Sequence, residues 1–119
     1  MEISINPVLP QHCNMDDRVC VNILIDELLQ RDKAIRVHDG EEWVLEKAIR
    51  NKTKILESLS HSGYDMVEFD QGAFDLIYNN GSDDDPIILI SDYTDNAISN
   101  EVYEAVKNKA EATLKTGGY

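Results

Sequence analysis

The chain predicts an α+β fold, an antiparallel sheet of three to five strands with about three helices packed on one face. Three observations carry this expectation. Apolar residues recur at helical spacing near the start, alternate in the middle, and return to a four-residue spacing at the end. The best hairpin turn signal, Asp39-Gly40, separates two short apolar stretches. A length of 119 residues with 42% hydrophobic side chains suits one domain with its own core, covering residues 1–119.

Residues 1–15 contain Pro7 and Pro10 and read as an extended arm. Asp16 or Asp17 then caps a helix running to about Gln30, with Val21, Leu24, Ile25 and Leu28 on one face. Val19, Val21, Ile23 and Ile25 also alternate, but Asp26–Arg31 continues with strong helix formers and favours the helix. Ile35 and Val37, the Asp39-Gly40 turn and Trp43-Val44-Leu45 give a first hairpin. The competing element is one helix from Glu41 to Ser60. In either case a helix is expected from about Thr53 to His61, stopped by Gly63.

From Tyr64 the period is two. Residues 66–69 and 73–78 flank Asp70-Gln71-Gly72 as a second hairpin, and Pro86–Ser91 follows as a third strand. Ser99 is the expected cap of the last helix, whose Ile98, Val102, Val106, Ala110 and Leu114 recur every four positions. Its acids come early and its lysines late, matching the helix dipole. Phe69, Phe74 and Trp43 are the expected core aromatics, with Trp43 central.

Charge is the strongest functional signal. The net charge is −12, and Ile55–Val106 carries twelve Asp and Glu residues with no Lys or Arg. A localised negative field steers basic partners and repels nucleic acid and anionic membranes. No stretch of about 18 apolar residues and no signal-peptide pattern occurs, so the expected location is the cytoplasm.

Specific chemistry is weakly signalled. Asn79–Asp85 lacks the ligand alternation and terminal Glu of a calcium loop. His12, Cys13 and Cys20 match no zinc spacing, and two cysteines in such a chain are expected to stay reduced. Ser60-His61-Ser62 sits at a helix end, where an imidazole is favoured by the dipole without any catalytic role. There is no Gly-rich phosphate loop and no basic, aromatic-interleaved stripe for nucleic acid. No catalytic residue, metal or cofactor is expected.

The tracts His38–Leu45, Phe74–Gly81 and Ile90–Asn96 resemble those of short accessory proteins encoded by phages, prophages and plasmids. The resemblance covers residues 35–100. It implies a compact acidic protein that blocks host nucleic-acid-binding machinery, as an anti-CRISPR or anti-restriction inhibitor does, and it carries over no catalytic residue.

The expected function is therefore a non-catalytic acidic module that binds a basic, nucleic-acid-binding host protein. The candidate partner-binding residues are Glu68, Asp70, Asp75, Tyr78, Asp83, Asp84, Asp85, Asp92, Tyr93 and Asp95. The tyrosines are included because rigid amphipathic rings beside carboxylates make good interface contacts. The alternatives are an antitoxin or immunity protein that neutralises a basic nuclease, and a small carboxylate- or metal-dependent enzyme around Asp83–Asp95. A homodimer formed through a sheet edge or exposed aromatics is left open.

Overall fold

The computed structural model describes residues 15–61, 63–78 and 89–115. In chain order the elements are α1 (Met15–Gln30), β1 (Ile35–His38), β2 (Trp43–Ile49), α2 (Lys52–Glu57), β3 (Tyr64–Phe69), β4 (Gly72–Ile77), β5 (Ile90–Tyr93) and α3 (Ala97–Lys115). The five strands form one antiparallel sheet in the order β2-β1-β3-β4-β5, so the fold is α+β as expected. The chain passes from edge strand β2 through α2 and re-enters beside β1. The extended arm expected over residues 1–15 lies outside the described residues, apart from Met15.

All three helices share one core on one face of the sheet. Ile35 and Val37 of β1, Val67 and Phe69 of β3, Phe74 and Leu76 of β4 and Ile90 of β5 form a single cluster with residues of α1, α2 and α3. α1 is the spine of that core. Val19, Cys20, Val21, Leu24, Ile25 and Leu28 are all fully buried, and they occupy more than one side of the helix. Its end is a Schellman turn: the Lys33 N–H donates to the Leu28 carbonyl (3.1 Å) and the Asp32 N–H to that of Leu29 (3.0 Å), with Asp32 at φ +64°.

Local chemistry places the shorter elements. Asn51 caps α2 by accepting the Lys54 N–H (3.0 Å), and the helix stops at Ser58 rather than running to His61. The stop expected at Gly63 is made by Ser60 instead, at φ +66°. α3 is capped by Asn96, whose side chain accepts the Ser99 N–H (2.8 Å), so Ser99 lies inside the helix and is buried. Val102, Val106 and Ala110 of α3 face the core.

β5 begins at Ile90 and runs to Tyr93; the expected strand residues Pro86–Ile88 lie outside the described residues. Asp92 is therefore within the sheet, opposite Asp75, and not beyond a strand end. The link from β5 to α3 is strapped to the β3–β4 turn: Thr94 Oγ1 accepts the Ala73 N–H (3.0 Å), and the Asn96 side chain donates to the Gln71 carbonyl (2.8 Å). A Cβ on Gly72 would come within 2.8 Å of the Thr94 Cβ, which leaves no room for any side chain there.

The β1–β2 turn is closed by Asp39, whose Oδ1 accepts the N–H groups of Glu41 and Glu42, both at 2.9 Å. Those two bonds, Glu42 first, hold its carboxyl below the usual range. Gly40 sits at φ +100°, and a Cβ there would lie 3.1 Å from the Tyr64 ring. Gly40→Ala should therefore cost ~1–2 kcal/mol, read as a lower denaturant midpoint at unchanged slope. A midpoint equal to that of the parent would show that the turn adapts freely.

Trp43 is not the central core aromatic. It pairs with His38, while Leu45 pairs with Val37 on the core side. The register shifts between Ile35 and Val37 and again between Val37 and His38, and these irregularities turn Trp43 to the face opposite the helices. No described helix is long and apolar enough to cross a membrane.

Candidate functional site

Side chains alternate across a strand, so residues between the core positions project onto the second face of the sheet. No described helix covers that face. Strand register places Trp43, His38, Met66, Asp75 and Asp92 in one row across all five strands. A second row contains Arg36, Glu68 and Ala73.

The β2 end of this face is rigidly built. The Arg36 guanidinium lies over the Trp43 ring, 3.8 Å from its centroid, and the His38 ring meets Trp43 edge-on at 4.9 Å. Arg36 also donates to Glu68 Oε1 from Nε (2.7 Å) and Nη2 (2.6 Å). His38 Nδ1 accepts the Gly40 N–H at 2.9 Å, which fixes the imidazole. At the β5 end the Tyr64 hydroxyl donates to Asp75 Oδ1 (3.0 Å); burial, then the bond to Asp75, raises the Tyr64 phenol above its ordinary value. Asp75 and Asp92 face one another across β4 and β5, and the ion pairs among the described residues include neither.

The structure separates the expected partner-binding residues. Asp75 and Asp92 come together on the helix-free face, with Glu68 on the neighbouring strand but neutralised by Arg36. Asp70, in the β3–β4 turn, pairs with Lys33 at 3.3 Å, and Asp95, before α3, accepts the Asn100 side chain at 3.3 Å. Tyr78 is no surface contact: it is 5% exposed, and its hydroxyl donates to buried Asp65 at 2.7 Å. Tyr93 is also turned inward, its ring stacked between Phe74 (5.5 Å) and Tyr103 (4.7 Å) on the helix side. Asp83, Asp84 and Asp85 lie outside the described residues.

The acidic block is compensated in part in space although it is bare along the chain. Where β1 lies beside β3, Arg36 pairs with Glu68 and Lys33 with Asp70, and where α1 packs on α3, Arg31 pairs with Glu101 (2.9 Å). A cleft of about 250 Å³ near the start of β1 shows the same balance, with Arg50 paired to Asp32 (3.1 Å) beside the Arg36–Glu68 and Lys33–Asp70 pairs.

Two residues that matter most electrostatically were not singled out by sequence. Glu27 is 3% exposed on α1 and is held by Arg31 (2.6 Å) and by Lys109 of α3. Burial raises its carboxyl, but the bonds from Lys109 and Arg31 outweigh that and leave it below the ordinary value. Asp65 is fully buried at the start of β3, and burial pushes its carboxyl up to about 6. In sequence both look like ordinary charged positions; only Glu27 and Arg31, four residues apart on a helix, carried a local signal.

Among the described residues no three of His, Cys, Asp and Glu gather as a metal ion would require. Comparison of the chain with protein-family models, curated proteins and solved structures finds no match.

Proposed function

We propose that the protein is a non-catalytic binding module that engages a basic surface of a protein partner, of the kind nucleic-acid-binding proteins present, through the helix-free face of its sheet. The observation that carries this reading is the Trp43–His38–Met66–Asp75–Asp92 row, in which two rings and a methionine lead to two opposed carboxylates that no described cation pairs. An arginine or lysine of a partner placed between Asp75 and Asp92 relieves their repulsion, while Trp43, already oriented by Arg36 and His38, supplies a rigid contact. The binding patch is narrower than the acidic sequence block, because Glu68, Asp70 and Glu101 spend their charge on internal pairs. A mobile-element inhibitor of host nucleic-acid machinery is one role within this reading.

The test is capture from a lysate of the source cells, identification of the retained protein, and measurement of its on-rate against the parent and against Asp75→Lys/Asp92→Lys. The expected partner is basic, its association slows between about 50 mM and about 500 mM salt, and charge reversal slows it about tenfold or more. A partner bound equally fast by the reversed variant removes this face from the function.

A further inference from the structure

We propose that Asp65 is a pH-gated latch between the turn after α2 and the end of β4, closed when its carboxyl is neutral and released when it is ionised. The geometry is that of a clasp. Oδ2 accepts two hydrogen bonds at 2.7 Å, from the Ser60 N–H in the turn and from the Tyr78 hydroxyl just past β4. Among the described residues the buried Oδ1 finds no hydrogen-bond partner, so an ionised Asp65 holds half of its charge where none of them donates to it. The groups that face it are Ser60 and His61 from the turn, Asp39 from the β1–β2 turn, Tyr78 beyond β4 and Tyr64 on its own strand. Burial opposes the charged form and outweighs the Ser60 N–H, the Tyr78 hydroxyl and His61, which favour it, Asp39 adds to the opposition, and the ion pairs among the described residues do not include Asp65.

The clasped segment is under tension. Ser60 sits at φ +66°, a conformation that a non-glycine residue keeps only while its surroundings impose it, and the bond to Asp65 is part of that imposition. Letting the turn open brings water to Oδ1 and relaxes Ser60 in the same movement. The turn also reaches the sheet through Gly63, whose carbonyl accepts the Tyr78 N–H at 3.0 Å, so opening it loosens two attachments to one residue.

The sign follows from the carboxyl's displacement. Its folded value, about 6, lies above the ordinary 3.8, so the stabilisation it gives is complete below the ordinary value and is lost as pH rises through about 6. If opening returns Asp65 to its ordinary value, the open population grows about tenfold between pH 5 and pH 7.5. Tyr64 directly follows the turn and holds Asp75, so the latch also reaches the helix-free face; that last link alone rests on the role proposed for the face.

The test is amide exchange by NMR, corrected for intrinsic rates, together with titration of the Asp65 side-chain carbonyl carbon. The expected result is a carbonyl midpoint near 6 and a fall of about tenfold in Ser60 protection between pH 5 and pH 7.5. In Asp65→Asn the fall disappears. Should that variant not fold, Tyr78→Phe serves: loss of a donor that stabilises the carboxylate moves the midpoint upward. A carbonyl midpoint near 4, unchanging Ser60 protection in the parent, an unchanged fall in Asp65→Asn, or an unmoved midpoint in Tyr78→Phe each overturns the latch.

Discussion

Replacing Phe74 by alanine should lower the unfolding free energy by ~3–5 kcal/mol, a large share of the stability of a domain this size. Phe74 is fully buried at the centre of the core, stacked on Phe69 at 6.2 Å and on Tyr93 at 5.5 Å. Tyr93 stacks in turn on Tyr103 of α3, so the ring is one rung of a ladder leading from β3 to the last helix. Its removal opens a cavity and unseats α3 as well. Denaturant unfolding gives the value directly; a loss under about 1 kcal/mol would mean that the neighbouring rings collapse into the space.

The second large effect is expected at Glu27. Arg31 Nη1 also donates to the Glu27 carbonyl at 2.9 Å and its Nε to Glu101 at 2.9 Å, so one network of Glu27, Arg31, Lys109 and Glu101 clamps α1 to α3. Glu27→Ala leaves two cations facing a site built for an anion. Breaking a fully buried pair costs ~3–5 kcal/mol, but the Lys109 side chain is 54% exposed and that of Arg31 21%, so solvent reduces the expected loss to about 2 kcal/mol. Because the folded-state value of Glu27 is depressed, its contribution is complete above the ordinary carboxylate range and is lost as pH falls through the lowered value. Parent and variant should therefore differ at neutral pH and converge in acid. Melting curves that remain parallel into the acid range would contradict this.

Glu27 and Asp65 thus pull the stability profile in opposite directions. The first weakens the fold toward strong acid and the second toward neutrality, so the fold is expected to be most stable on the mildly acidic side.

The elements themselves were legible because their signals were local. The Asp39-Gly40 turn, the switch to alternation at Tyr64 and the four-residue spacing of α3 each belong to one contiguous stretch, and each element formed where its pattern stood. The structure departs from expectation where the outcome depends on another part of the chain. Trp43 reads as a core aromatic in sequence, but two register shifts against β1 decide its face. The acidic block reads as bare along the chain because the cations that pair three of its acids come from residues 31–36, which reach Glu68 and Asp70 once β1 pairs with β3 and Glu101 once α1 packs on α3. Tyr78 and Tyr93 looked like interface tyrosines beside carboxylates, yet one satisfies a buried acid and the other fills the aromatic ladder. Of the candidate site, Asp75 and Asp92 are brought together on the helix-free face while Asp70 and Asp95 are exposed elsewhere, and the adjacency of the first two follows from β5 running on to Tyr93, which the alternation of Pro86–Ser91 did not reveal.

The irregular β1–β2 register has an optical consequence. Trp43 is the sole tryptophan of the chain and stands on the helix-free face under a guanidinium, whereas the stacked phenyl and phenol rings lie on the opposite side of the sheet. Indole emission and quenching therefore report events on the helix-free face and leave the aromatic ladder of the core silent, so a partner arriving on that face is visible in an unlabelled sample.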